Sequence, residues 1–283
     1  MKHKVILLGE AGVGKSTAGL SYPGIEMHVW GSTEESTIGG FPNRKDILTP
    51  VKMQWRECLN KKDKEDITKI KTTGDVLAQH RLIAPIENKA RARNVGRYMD
   101  YLEELEEAVN SGKRPEVKAV FLDNWSPFSD DLWTYTQMLH ADDYGEKEGF
   151  KLWGDYYNYC NKVLDLLNTI NCHAIVSCHV SMGLDEEMAS KVPFFKQGEA
   201  SIAMKKDWQP FMISKYKFKL KSKFDYVVFM YTEESPGHPA KHMADFDSLG
   251  KARVNPFEKP NKIVLPKGTF YQFLEDALNA KKA

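Results

Sequence analysis

Gly9-Glu10-Ala11-Gly12-Val13-Gly14-Lys15-Ser16, preceded by the apolar run Val5-Ile6-Leu7-Leu8, decides how the rest of the chain is read. The stretch fits G-x-x-x-x-G-K-[ST] without deviation, in the strand–turn–helix context that the pattern requires. Its chemistry depends on that spacing. Glycines let the backbone curl until successive N–H groups point at one phosphate. The helix that starts near Lys15 adds the positive end of its dipole. Lys15 extends along the loop to the β- and γ-phosphates, and Ser16 offers its hydroxyl to Mg²⁺. The segment expected to bind nucleotide is therefore Gly9, Glu10, Ala11, Gly12, Val13, Gly14, Lys15, Ser16 and Thr17. ATP and Mg²⁺ are the expected cofactors. Reading guanine would call for a signature such as N-K-x-D. Asn161-Lys162-Val163-Leu164-Asp165 places its acid one residue too late and in mid-helix, so ATP is favoured.

Outward from the loop, strands and helices alternate. Residues 3–8 read as a strand, and Lys15 to about Tyr22 as a short helix stopped by Pro23-Gly24. A second strand, Ile25 to Trp30, follows. From about Thr37 to Arg97 the pattern is polar, lysine-rich and without a clean strand; it reads as an insertion with short helices near Met53–Asn60 and Thr73–Arg81. Helical spacing returns at Tyr98–Val109. Val117–Leu122 reads as a strand ending at Asp123, and Trp153–Ile170 as a long helix. Ala174–Cys178 is a strand ending at His179. Tyr216–Lys221, alternating apolar and basic, reads as a half-exposed strand, and Phe224–Tyr231 as a buried one. Residues 232–283 form a C-terminal extension closing on an amphipathic helix at about Phe270–Ala280. This alternation implies an α/β fold, a mainly parallel sheet with helices on both faces, in a single domain over 1–283. Ligands in such folds bind beyond the carboxyl ends of the strands. The turns after Gly9, Gly31, Asp123 and His179 are therefore expected to share one crevice.

Bulk properties narrow the function class. Apolar residues make up 42% of the 283, enough for a sizeable core, and the formal charge is +1, so the molecule as a whole is not a polyanion binder. No apolar run approaches the ~18 residues of a membrane span. The N-terminal apolar run is too short for a signal peptide, so a cytoplasmic protein is expected, with no membrane partner. Cys58, Cys160, Cys172 and Cys178 form no C-x-x-C pair and read as small buried residues. Zinc at Cys172-His173 and Cys178-His179 is disfavoured, because six residues of strand span about 20 Å, beyond the reach of one ion.

Three positions at the expected crevice carry chemistry. Asp123 closes an apolar strand on one carboxylate, the form taken by the acid that helps Ser16 hold Mg²⁺. Glu34 and Glu35, in Gly31-Ser32-Thr33-Glu34-Glu35-Ser36, follow the second strand, where a carboxylate can orient the attacking water. The sequence does not choose between them, and the pair also suits a helix start. His179 is placed to touch the γ-phosphate and report it to the following loop; a solvent-capped strand end is the plainer alternative.

GEAGVGKS, GSTEES, VFLD, the block WGDYYNYCNKVLDLLNTINCHAIVSCH and KFDYVVFMY together resemble the RecA-like core ATPases of phages and prophages, in particular the nucleotide-binding proteins related to single-strand annealing recombinases. The resemblance covers Lys4–Ser36 and about Tyr98–Tyr231. It implies a RecA-like P-loop ATPase fold, ATP hydrolysis, homo-oligomers that complete their sites with a neighbour's residues, and action on single-stranded DNA in recombination or replication. GSTEES is similar to the paired-glutamate element of RadA- and KaiC-type members, which supports Glu34 or Glu35 as the base. The resemblance also implies γ-phosphate sensing at His179, and a DNA-facing loop from Ser181 to about Gln197. Lys217, Lys219 and Lys221 match, by position only, lysines that act across a subunit interface. The 37–97 insertion is longer than the resemblance implies, and the 181–210 loop is richer in aromatics and acids.

Charge adds two local excesses. Lys205, Lys206, Lys215, Lys217, Lys219, Lys221 and Lys223 stand against Asp207 alone. On a strand, the lysines of Tyr216–Lys221 would share one face, suiting either a solvated edge or a phosphate backbone. The second stretch, Lys61 to Arg93, mixes Arg91 and Arg93 with several acids and reads as a solvated surface. Trp125, Phe128, Trp133 and Tyr135 could stack bases, but such density more often means core. The alternatives to a DNA-stimulated ATPase are a protein-stimulated motor or loader acting with replication or recombination proteins, and a non-catalytic nucleotide switch.

Overall fold

The computed structural model describes residues 2–30, 47–72, 75–140, 149–183, 207–212, 216–233, 237, 239–246, 262–266 and 268–280. Contacts divide the chain into two compact units, Met1–His3 with Tyr22–Ile175, and Lys4–Ser21 with Val176–Ala283.

In the first unit β2 (Ile25–Trp30) pairs in parallel with both β3 (Val51–Met53) and β4 (Ala119–Asp123). The strand order there is β5-β4-β2-β3, with β5 (His173–Cys178) passing into the second unit at Val176. All residues of β2 and β4 are buried; β4 reads as an apolar run closing on Asp123, whereas β2 buries Glu26 and His28 among its apolar residues. The helices are α2 (Lys61–Lys71), α3 (Val76–Asn110), α4 (Trp125–His140) and α5 (Gly149–Thr169). α3 packs on α4, and α4 on α5. An aromatic core joins them: Trp30 meets Tyr98 at 5.4 Å and Phe128 at 4.8 Å between ring centroids. The Trp30 indole N–H donates to Asp131 at 2.9 Å, so the ring is buried with its polar atom satisfied.

Two expectations for this unit need correction. The stretch from 37 to 97 is not strand-free: β3 extends the sheet, and a short 3₁₀ turn covers Trp55–Cys58. Nor does a boundary fall at Arg97, because residues 76 to 110 form one 35-residue helix. Pro85 lies inside it, on the exposed side. The first buried residue of α3 is Ala90, so the N-terminal half has no core-facing stripe to show in the sequence.

In the second unit the order is β10-β9-β8-β1-β5. β1 (Lys4–Leu8) pairs in parallel with β8 (Tyr226–Glu233), Val5 opposite Tyr226. β9 (Lys241–Asp245) is antiparallel to β8, and β10 (Lys262–Val264) to β9. Parallel pairings around β1 and β2 with an antiparallel edge make this an α/β fold with a mainly parallel mixed sheet. β6 (Val180–Gly183) and β7 (Asp207–Pro210) form a separate two-stranded ribbon. α1 (Lys15–Gly19) packs against α7 (Phe270–Ala280), where the Tyr271 N–H donates to Ser21 Oγ at 2.9 Å.

The expected strand at Tyr216–Lys221 is instead helix α6 (Lys217–Leu220), followed by a 3₁₀ turn at Lys221–Lys223. Tyr216, Leu220 and Phe224 are all buried, and their spacing of four is the helical signal that local alternation concealed. The shared lysine face disappears with the strand. Lys219 is exposed whereas Lys221 is buried, and nothing is described of the Lys217 side chain.

Candidate functional site

The loop from Gly9 to Ser16 joins β1 to α1, within the second unit. Gly14 has φ of 95°, a conformation that side chains with a Cβ avoid, and it starts α1. α1 has only five residues, shorter than the helix expected to reach Tyr22, so the loop amides matter more here than a helix dipole. Lys15 is buried at 6% exposure, with its amine turned back on its own loop. Nζ donates to the Gly9 carbonyl at 2.9 Å and to the Glu10 carbonyl at 2.6 Å. His179 Nδ1 stands 3.5 Å from the same nitrogen. Two residues singled out independently, 164 positions apart, therefore meet at one ammonium. Carbonyls are neutral acceptors, so an arriving phosphate can draw the ammonium from them without breaking an ion pair at these contacts.

Phosphate chemistry fits these donors: a curled loop, a buried cation held at its rim, and the Ser16 hydroxyl on the next residue. A family model described as an AAA domain matches residues 1–263. The chain belongs to the AAA domain family. No curated protein gives a match. AAA domains are generally nucleotide-binding ATPases, so the family agrees with the class of ligand that the loop is built to hold.

Elsewhere in this AAA domain the expected residues fall differently. Asp123 ends β4 with 2% of its surface exposed, in the first unit. Its peptide to Asn124 is cis. Glu34 and Glu35 lie outside the described residues, as does most of the 181–197 loop. Trp125 and Phe128 are fully buried and belong to the core; Trp133 stacks on Trp153 at 4.0 Å between centroids. Three arginines of α3 are held by acids of their own unit: Arg91 pairs with Asp131 at 2.7 Å, Arg93 with Asp63, and Arg97 with Glu57 at 3.5 Å. Cys160, Cys172 and Cys178 are buried, as expected of small apolar residues.

Residues beside the loop that the sequence did not single out come from the C-terminal strands. The His242 ring on β9 donates from Nδ1 to the Val13 carbonyl at 3.0 Å. A cavity of about 300 Å³ opens there, lined on one side by Gly12, Gly14, Thr17 and Ala18. Its other walls include Met230, His242, Leu265, Pro266 and Phe270. In the sequence Met230 falls within the expected strand Phe224–Tyr231 and Phe270 opens the expected C-terminal helix, whereas His242, Leu265 and Pro266 stand in the extension between them.

Gly9 supplies a direct test of the loop's packing. A Cβ there would stand 2.4 Å from the Met230 carbonyl oxygen and 2.8 Å from Val13 Cγ2, closer than side-chain carbons come. Gly9→Ala therefore displaces the loop from β8. It is expected to weaken ATP binding by about tenfold or more, in line with the ~1–3 kcal/mol of an overpacked site. Isothermal titration of ATP into the variant checks it, and unchanged affinity would show that the loop yields without cost.

Proposed function

We propose that this AAA domain binds ATP with Mg²⁺ and hydrolyses it as a RecA-like protein of the phage type, acting on single-stranded DNA in recombination or replication. The observation that carries this reading is the Lys15 ammonium, buried on the Gly9 and Glu10 carbonyls beside His179 Nδ1. In this reading Lys15 leaves those carbonyls for the β- and γ-phosphates, and His179, already beside it, contacts the γ-phosphate. Ser16 and Asp123 supply Mg²⁺ ligation, an assignment that rests on their places in the sequence pattern. Glu34 or Glu35 orients the attacking water. Homo-oligomers complete the site, as the resemblance implies.

One observation favours a second reading, a motor or loader whose stimulus is a protein. The lysines at 217, 219 and 221 do not form a strand face, so the support they lent to a DNA groove falls away; of Lys219 and Lys221, whose side chains are described, Lys219 is the exposed one. ATPase rates with and without single-stranded DNA, at two salt concentrations, separate the readings. Stimulation that fades at high salt is the expected result, because phosphate contacts release counterions. Turnover indifferent to DNA favours the loader. Absence of turnover, with ATP still bound, leaves a nucleotide switch.

A further inference from the structure

We infer that the outward face of α2, with the Trp55–Cys58 turn that leads into it, is a contact surface for a DNA single strand. This rests on the DNA reading above and assigns a contact to the insertion, a segment to which the resemblance gives no role.

In sequence Lys61 to Lys71 mixes charges, and the fold sorts them. Asp63, Asp66, Ile67 and Ile70 are half-buried, while every other residue of α2 is exposed. Their spacing of i, i+3, i+4 and i+7 puts both acids on the side that packs against α3. Asp63 is used there twice: it pairs with Arg93 of α3 and closes a capping box with Asn60. Lys61, Lys62, Lys64, Lys69 and Lys71 are left on the outer side against Glu65 alone. Among the described residues none of these lysines makes an ion pair. Helix stability does not account for the arrangement. Lys69 and Lys71 suit the negative end of the dipole, but Lys61 and Lys62 directly follow the Asn60 cap, where a cation is unfavourable. That cost is offset when a polyanion lies along the face.

Length and a neighbouring ring select the polyanion. From Lys61 to Lys71 the helix runs about 15 Å at 1.5 Å per residue, enough to follow several successive phosphates of one strand. An acidic protein segment would meet the same charge, so the aromatic beside it decides. Trp55 is half-buried and has the guanidiniums of Arg91 at 5.0 Å and Arg56 at 5.4 Å from its ring centroid. Arg91 is anchored to Asp131 at 2.7 Å, whereas Arg56 is exposed. Arg56 is therefore the cation that can turn to a phosphate and yield its place on the ring to a base. A basic track beside a stacking ring is how proteins hold single strands without reading their sequence. A duplex keeps its bases stacked on one another and has no face to give Trp55.

Binding of a fluorescent oligodeoxythymidine to the full chain, with ATP and Mg²⁺ present, is followed by anisotropy over a range of salt. Two variants separate charge from stacking: the combined Lys61→Gln, Lys62→Gln and Lys64→Gln, and Trp55→Leu. The lysine variant is expected to bind about tenfold or more weakly. Its slope of log affinity against log salt is expected to shrink by about 2, since each single-strand phosphate contact contributes about 0.7. Its melting temperature is expected to hold or rise, because two of the removed cations oppose the dipole. Trp55→Leu is expected to lose about tenfold in affinity with the slope unchanged, as an uncharged stack would. If Trp55→Leu does not fold, the lysine variant decides. Wild-type affinity and slope in the lysine variant would overturn this surface and spare the DNA reading. Polyglutamate bound as tightly as the strand would overturn the assignment in favour of an acidic protein, and a duplex bound as tightly would overturn the single strand. Failure of wild type to bind the strand would overturn the DNA reading and this one together.

Discussion

Lys15→Ala is expected to lower ATP turnover by about 10²–10³-fold, the loss typical of removing one preorganised charge donor from a reaction centre. The ammonium is at the loop before any ligand arrives, 2.9 Å from the Gly9 carbonyl, 2.6 Å from that of Glu10 and buried at 6% exposure. Its desolvation is therefore met in folding rather than in binding, and a phosphate gains an ion already stripped of much of its water. Alanine removes the charge and leaves two carbonyls short of a donor. Lys15→Arg is expected to fail almost as completely, because a planar fork does not replace a compact ammonium between two carbonyls and an imidazole. ATPase assays and ATP titration on the same preparations check both variants. His179→Ala separates the partners: if the imidazole contacts the γ-phosphate, ATP binding is expected to weaken more than ADP binding. Full turnover in Lys15→Ala would remove the basis of the ATPase reading.

The phosphate loop was legible because its chemistry is local. Eight consecutive residues contain the glycines, the cation and the hydroxyl, and the buried parallel strand before them is a short apolar run that the glycine-rich turn marks off as a strand. β4 and β5 were legible for the same reason, so Asp123 and His179 could be placed at strand ends. Three other features were concealed, each by a different cause. The first half of α3 faces solvent, so helical periodicity had little to act on between the short helix expected at Thr73–Arg81 and the spacing that returns at Tyr98. Around Lys217, alternation over six residues imitated a strand, whereas the burial of Tyr216, Leu220 and Phe224 reveals a spacing of four. The walls beside the loop are gathered from β8, β9, the segment after β10 and the start of α7, so their association is a product of strand order and has no sequence spacing to betray it. Glycine at position 9 shows both kinds of information in one residue. The motif predicts it, but the Met230 carbonyl oxygen, more than 200 residues away and only 2.4 Å from where a Cβ would stand, gives the packing reason.

Glu26→Gln is expected to cost the first unit about 2–4 kcal/mol of stability, the scale of leaving buried ionic partners uncompensated. Glu26 sits on β2 with 2% exposure. The His28 Nε2 donates to Oε1 at 3.0 Å, the Tyr101 hydroxyl to the same oxygen at 2.6 Å, and Arg114 pairs with Oε2 at 2.6 Å. The far side of His28 is held by the Tyr98 hydroxyl at 3.0 Å from Nδ1. Burial alone would raise the carboxyl, but hydrogen bonds from His28 and Tyr101 and the charge of Arg114 outweigh it and hold the group down at about 2, from 4.5. The sign follows from proton counts. Between those two values the unfolded chain binds the proton and the folded chain does not, so stability rises with pH across that window. The contribution is fully present above about 4.5 and is lost as pH falls toward 2. It amounts to roughly 2 kcal/mol once solvent at the one-third-exposed Arg114 is allowed for. Thermal melts at pH 7 and pH 3 (about, straddling the unfolded value) test both statements. The gap between wild type and Glu26→Gln is expected to be wide at the higher pH and to shrink at the lower, because wild type loses there what the variant never had. A gap of equal width at both would mean that the amide fails by shape or hydrogen bonding, and that the charge of Glu26 does not stabilise the fold.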